Sequence, residues 1–152
     1  MATPIELAPD TPAILDIDST GTELLVTGRF GTEDVSDLAV MPVLGGTQRR
    51  VGNLRVSSPG NGATAAWSSD KSHIVYALGA ELRIARSDGS ESSRLLTAPG
   101  DASAPKWSPD GGRLRYTVRD EKTRATPLWE ANADGANAHA LLRRVGGAVG
   151  QR

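Results

Sequence analysis

The chain has no cysteine, and only one phenylalanine, two tyrosines and two histidines among 152 residues. Without thiols there is no disulfide, no thiolate zinc site and no cysteine nucleophile. The two imidazoles, His73 and His139, lie far apart in sequence and do not make a metal site by themselves, so no metal and no cofactor is expected. No apolar run approaches the roughly 18 residues of a membrane span. The start, Met1 to Pro12, lacks the basic and apolar regions of a secretory signal, so the chain as given is expected in the cytoplasm, or in the periplasm if its natural start lies upstream. A net charge of −1 removes any general pull toward nucleic acid or anionic lipid. Also absent are a sustained helical periodicity, a G-x-S-x-G nucleophile elbow, and the strand, glycine loop and helix order of a phosphate cradle. What remains, 38% hydrophobic and 23% charged residues, suits one folded domain with a core.

The chain does contain a repeat. Ala66-Trp67-Ser68-Ser69-Asp70-Lys71 and Lys106-Trp107-Ser108-Pro109-Asp110-Gly111 stand 40 residues apart, and each is followed at equal offsets by an aliphatic and an aromatic residue, Ile74 and Tyr76, then Leu114 and Tyr116. A more divergent copy lies 50 residues upstream, with Ile17 at the tryptophan position, Thr20-Gly21 at the Asp-Gly position, and Leu24 and Val26 on the strand. A second turn recurs as Leu44-Gly45-Gly46-Thr47, Ser87-Asp88-Gly89-Ser90 and Ala133-Asp134-Gly135-Ala136. Ser108-Pro109-Asp110-Gly111 has type I turn chemistry, and the Asp-Gly and Gly-Gly pairs supply the positive φ of tight hairpins. Lys71 replaces the glycine of the first turn, which predicts a looser corner there.

Between those turns lie four short strands per unit, near 13–18, 23–29, 37–43 and 48–54, then 63–68, 73–78, 81–87 and 92–97, then 103–108, 113–119, 126–132 and 137–142. Four strands every 40 to 45 residues or so is the spacing of β-propeller blades. The expected fold is therefore all-β, with about three four-stranded antiparallel blades in an incomplete ring. A 1–12 extension precedes blades at 13–56, 57–98 and 99–142, and 143–152 forms a flexible tail. Propellers close with about four to eight blades, so three blades leave two outer faces without a neighbour. Both are expected to be apolar and adhesive, open to self-association into a six-blade ring unless the chain is part of a longer protein, as its tail suggests.

The units Ala65-Ala66-Trp67-Ser68-Ser69-Asp70 and Ala104-Pro105-Lys106-Trp107-Ser108-Pro109-Asp110-Gly111, with Leu128-Trp129-Glu130-Ala131-Asn132-Ala133-Asp134-Gly135 after the third, resemble the WD-repeat-like blades of the TolB type, from about 13 to 142. The resemblance implies a bacterial, non-enzymatic module for protein or ligand recognition, as in the sensory part of a transcriptional regulator. It also admits the propeller segment of a prolyl-oligopeptidase-like serine peptidase, or a TolB-like envelope protein. A protein or peptide partner is expected, with no membrane and no nucleic acid bound by this segment.

Several stretches carry chemical patterns. Asp16-Ile17-Asp18-Ser19-Thr20 matches the D-x-D-x-T phosphatase motif, in which an apolar strand delivers a nucleophilic and an acid/base aspartate. The alternating strand and helix pattern that chemistry needs is missing, and the residues fall in repeat register, so a strand and turn are expected. The same stretch opens like a calcium loop, but Thr27 stands where the bidentate Glu belongs. Arg113, Arg115 and Arg119 alternate on one strand with Arg83 and Arg86 in the unit before; Glu81, Glu91, Asp120 and Glu121 are the expected partners of a solvated charge row. Trp67 and Trp107 are core anchors by register. No catalytic, metal or cofactor-binding residue is assigned, and the ligand-binding residues are unknown.

Overall fold

A computed structural model describes residues 13–31, 35–57 and 63–141, leaving aside the side chains of 28–31. The expected extension at 1–12, the tail from 142 onward and residues 32–34 and 58–62 lie outside the described residues. Twelve strands run β1 (Ile14–Ile17), β2 (Glu23–Gly31), β3 (Val35–Pro42), β4 (Arg49–Ser57), β5 (Ala65–Trp67), β6 (His73–Leu78), β7 (Glu81–Arg86), β8 (Ser93–Thr97), β9 (Ala102–Trp107), β10 (Arg113–Val118), β11 (Leu128–Asn132) and β12 (His139–Ala140). They form three four-stranded antiparallel sheets, β1 to β4, β5 to β8 and β9 to β12, each a meander in which sequential strands are neighbours. This is the expected unclosed set of three propeller blades, and no described residue is helical.

The middle blade shows why the sequence folds this way. Its strands are buried on both faces, so Ala65-Ala66-Trp67 and Ile74-Val75-Tyr76-Ala77 read as continuous apolar runs. The pleat sends alternate residues to opposite neighbours. Ala65, Trp67, Ile74, Tyr76 and Ala85 join Leu25, Leu38, Val40, Leu54 and Val56 in the core between blades one and two. Ala66, Val75, Ala77, Leu82 and Leu96 meet Leu114, Tyr116, Val118 and Ala131 in the core between blades two and three, with Trp107 and Trp129 packed against it at partial exposure. Both anchors therefore lie in equivalent places, Trp67 buried and Trp107 half-buried.

The corners repeat as well. In each blade the N–H of the residue at the turn glycine position donates to the first turn residue: Gly21 to Asp18 at 3.0 Å, Lys71 to Ser68 at 2.8 Å, Gly111 to Ser108 at 2.9 Å. Lys71 adopts φ 64, close to the 73 of Gly21 and the 76 of Gly111, so the corner is as tight as its glycine counterparts, contrary to the looser turn its identity predicts. The second turn has an extra duty. A Cβ built on Gly89 would lie 2.8 Å from the Val51 carbonyl and the Gly52 nitrogen, and one on Gly135 would lie 2.3 Å from the Leu95 carbonyl oxygen. Each Asp-Gly turn thus rests its backbone on the fourth strand of the preceding blade. Gly45, the first-blade equivalent with φ 94, has nothing within 4 Å among the described residues.

The outer face of the third blade corrects one expectation. Val75 pairs with Ile84 and Ala66 in the second blade, and the equivalent positions of the third are Arg115, Glu130 and Lys106. That face is charged, not apolar. Glu130, itself 5% exposed, accepts from Arg113 Nη1 at 2.8 Å and Arg115 Nε at 3.0 Å, with His139 Nε2 at 3.9 Å. Arg113 and Arg115 are thus partnered across the sheet by Glu130, not by the nearby Asp120 and Glu121, and Arg119 falls beyond the end of β10; Arg83 with Glu81 and Arg86 with Glu91 pair as expected.

Candidate functional site

Asp16 and Asp18 are both engaged in holding blades together. Asp16 Oδ2 accepts the backbone N–H of Trp67 at 2.9 Å, and Oδ1 faces Lys106 Nζ at 3.6 Å, so one carboxylate on the first strand of blade one ties down the first strands of the other two. Asp18 is 6% exposed and accepts from the backbone N–H groups of Thr22 and Glu23, the hydroxyls of Thr20 and Thr22, and Lys71 Nζ at 2.9 Å. Both aspartates thus serve the strand and turn of the first blade and its contacts with its neighbours. Among the described residues no cluster of three His, Asp or Glu is placed to hold a metal.

Lys71 explains its own awkward backbone. A non-glycine residue at φ 64 is strained, and here the strain puts an ammonium across the blade boundary onto Asp18 and Glu23, with its charge 5.0 Å from the Trp67 ring centroid. The Lys71 hydrogen bond holds the Asp18 carboxyl far below its ordinary 3.8, with the Glu23 and Thr22 amides adding to the effect. A carboxyl depressed in the folded chain stabilises it above its unfolded pKa, and that contribution is lost as pH falls through 3.8 and below. The melting temperature is therefore expected to drop between about pH 4 and pH 2, and Lys71→Met is expected to flatten that drop, as read by thermal scans across the range. A parallel profile in both proteins would contradict the bridge.

This packing leaves a groove of about 510 Å³ between blades one and two. Its wall on blade one is Gly52 to Arg55 of β4; on blade two it is Tyr76, Leu78, Arg83 and the turn Asp88 to Ser90 with Ser92. The groove exists because of one register position. Tyr116 of the third blade pairs with Trp129, the rings 6.5 Å apart, and the two fill the boundary with blade two; burial pushes that phenol up, and its hydroxyl has no partner among the described residues. The equivalent Tyr76 pairs with Arg83, which is thinner and polar. The Tyr76 hydroxyl then forms the polar floor, 2.5 Å from Ser92 Oγ and 3.3 Å from Arg83 Nε. The Tyr76 and Glu81 contacts raise the Arg83 pKa, so the guanidinium is a permanent cation. Arg94 stands directly opposite Arg83 in the ladder, and Arg55 faces from the other wall with Nε held by Asp37 at 3.0 Å. Like charges opposed across strands are unfavourable, and the opposition of Arg83 and Arg94 is offset by the Glu81 carboxylate, 2.8 Å from Arg83 Nη1.

A smaller cleft of about 370 Å³ separates blades two and three, lined by Ser68 to Asp70, Ser72, His73, Ile84, Trp107, Asp110 and Gly111. Its corner aspartates serve their own turns. Asp70 accepts from Ser72 and Ser68 and is held at about 2, and Asp110 accepts from Ser108 and Gly112. Sequence reasoning singled out Arg83 only as part of a charge row and missed the groove, since its signal is a difference between two repeats at the position opposite the strand tyrosine.

No protein-family model matches the chain, and no curated protein does. Solved structures do. A structure assigned to TolB from Agrobacterium tumefaciens is similar over 85% of this chain and 45% of its own, with 20% identity and a TM-score of 0.67. TolB from Acinetobacter baumannii is similar over 90% of this chain and 33% of its own, at 13% identity and a TM-score of 0.65. The β-propeller domain of the trilobed protease from Pyrococcus furiosus, which has an open velcro topology, is similar over 89% of this chain and 43% of its own, at 11% identity and a TM-score of 0.52. The chain thus spans less than half the length of these structures, and its fold is that of a partial propeller of TolB-like type.

Proposed function

We propose that the chain is a non-enzymatic recognition module that holds an acidic peptide segment of a protein partner in the groove between blades one and two. The observation that carries this reading is the replacement of a sealing tryptophan by Arg83, which opens a groove with a cation and a buried tyrosine hydroxyl at its floor. An extended peptide suits a groove bounded by a strand on one side and a turn on the other, and a carboxylate suits a guanidinium as a bidentate partner.

A peptide library displayed against the purified chain tests the proposal. Selected sequences are expected to be rich in Asp and Glu. Calorimetry of the best of them should show binding weakened at least about tenfold by Arg83→Ala, a loss in the range of a charge-assisted hydrogen bond, and unchanged by Lys122→Ala on the exposed turn of blade three. Basic or purely apolar selections, or a ligand indifferent to Arg83, would refute it.

Such a module fits the sensory part of a bacterial regulator, as the resemblance of its blades implies. The Pyrococcus neighbour, a propeller domain of a protease, favours a second setting in which the same groove belongs to a peptidase propeller. A winged-helix or kinase domain in the same reading frame supports the first, and a G-x-S-x-G elbow supports the second.

A further inference from the structure

The cleft between blades two and three has a counterpart that the chain fills with a side chain of its own. Corner positions correspond at the repeat offsets of 50 and 40 residues, so Asp18, Ser68 and Ser108 are equivalent, as are Gly21, Lys71 and Gly111, and Glu23, His73 and Arg113. The corner hydrogen bonds keep that register, the N–H groups of 21, 71 and 111 donating to 18, 68 and 108. At the boundary of blades one and two, Lys71 stands over the Trp67 ring, 5.0 Å from its centroid, and reaches Asp18 and Glu23 of the blade before. At the boundary of blades two and three the same place is lined by Ser68, Asp70 and His73 of one blade and by Trp107 and Asp110 of the next, and position 111 is a glycine. With no side chain to cross the boundary there, a cleft of about 370 Å³ stays open, and the Trp107 indole is half-buried where Trp67 is buried.

The walls of this cleft are anionic. The turn bonds of Asp70 and Asp110 all end on Oδ1, so each Oδ2 is without a donor among the described residues. Those bonds hold both carboxyls below their ordinary range, which keeps both charged at neutral pH. The neighbouring cations are engaged elsewhere, Arg113 with Glu130 and Arg86 with Glu91. An aromatic face beside carboxylate oxygens suits an organic cation. Lys71 shows which kind the repeat accepts at this point, a compact ammonium on a flexible aliphatic stem.

We infer that the cleft between blades two and three binds a primary alkylammonium group, as on a lysine side chain, with the Trp107 ring against the charge and Asp70 and Asp110 as its counter-ions. The site is separate from the groove between blades one and two, and it stands whether or not an acidic peptide binds there.

Magnetic resonance titration of the full chain with Nα-acetyl-lysine methylamide and with n-pentylamine tests the assignment. Both are expected to shift the amide signals of 68–73 and the Trp107 indole signal saturably, and the uncharged Nα-acetyl-norleucine methylamide to shift neither. Tighter binding of the lysine derivative identifies a polypeptide as the source of the ammonium, and tighter binding of pentylamine a small amine; either order supports the site. Asn at positions 70 and 110 keeps the Oδ1 that serves each turn and removes the charge, so Asp70→Asn combined with Asp110→Asn is expected to weaken binding at least about tenfold. Gly111→Lys repeats Lys71 and is expected to abolish binding, because the chain's own ammonium then fills the cleft. Gly21→Lys, the same change at the corner of blade one, is expected to leave binding intact. A Cβ at either glycine meets nothing within 4 Å among the described residues, so both corners accommodate the lysine. Binding that survives Gly111→Lys or the double aspartate variant, an equal response to the norleucine derivative, or no saturable shift with either amine would overturn the assignment.

Discussion

Replacing Gly135 by alanine is expected to destabilise the chain by about 3 kcal/mol or more, and replacing Gly45 by alanine by only about 1 kcal/mol, although the two glycines share almost the same backbone. Their φ angles are 90 and 94, so the penalty of a Cβ in left-handed backbone, roughly 1 to 2 kcal/mol, is common to both. The difference is the neighbour. At Gly135 the new carbon lies 2.3 Å from the Leu95 carbonyl oxygen, and that oxygen belongs to a strand that cannot rotate aside as a side chain would. The turn must lift away from blade two, loosening the contacts of Trp129, Ala131 and Leu95 in the second core, and overpacking of this kind adds roughly 1 to 3 kcal/mol. At Gly45 there is no atom to strike among the described residues. Urea unfolding of the two variants measures the pair. Equal losses would mean that the glycine serves only its own turn and that the blades do not meet there.

This contrast shows what kind of information a repeat carries. The turn glycines were legible in the sequence because hairpin chemistry demands them within each unit. Their second duty, close approach to the preceding blade, leaves no separate trace, since one residue type satisfies both. The same holds for Lys71. Read alone it breaks the turn pattern, and its reason appears only when Asp18 and Glu23 of another blade come within reach of its ammonium. The strands were located within a few residues because alternation and turns are local properties. The charged outer face of the third blade was not anticipated, because Arg113, Arg115 and Glu130 look like an ordinary solvated row until the register sets Glu130 beneath both arginines. The groove was harder still: it depends on Arg83 and Trp129 occupying one structural position, while the distance from the unit's tryptophan to that position differs between units, 16 residues in one and 22 in the other.

Trp67→Ala is expected to cost about 3 to 5 kcal/mol, the range of a deleted core aromatic. The indole lies in the middle of the first core, 7% exposed, between Ile74 and Tyr76 of its own blade and Leu25 and Val40 of the blade before. These neighbours sit on strands, so they cannot collapse into the void without breaking ladder hydrogen bonds, and most of the cavity should persist. Lys71 also loses the ring over which its charge is held, although its ion pairs to Asp18 and Glu23 do not depend on it. The equivalent Trp107→Ala should cost less, because Trp107 is only half-buried and its indole Nε1 has no hydrogen-bond partner to lose among the described residues. The order of the two losses therefore tests the stacking directly. If each blade were a self-sufficient hairpin sheet, the two tryptophans, which stand at the same point of the repeat, would be worth the same. If the blades bury one another, the indole more deeply covered by the blade before it must be worth more, and a denaturation midpoint lower for Trp67→Ala than for Trp107→Ala is the expected result.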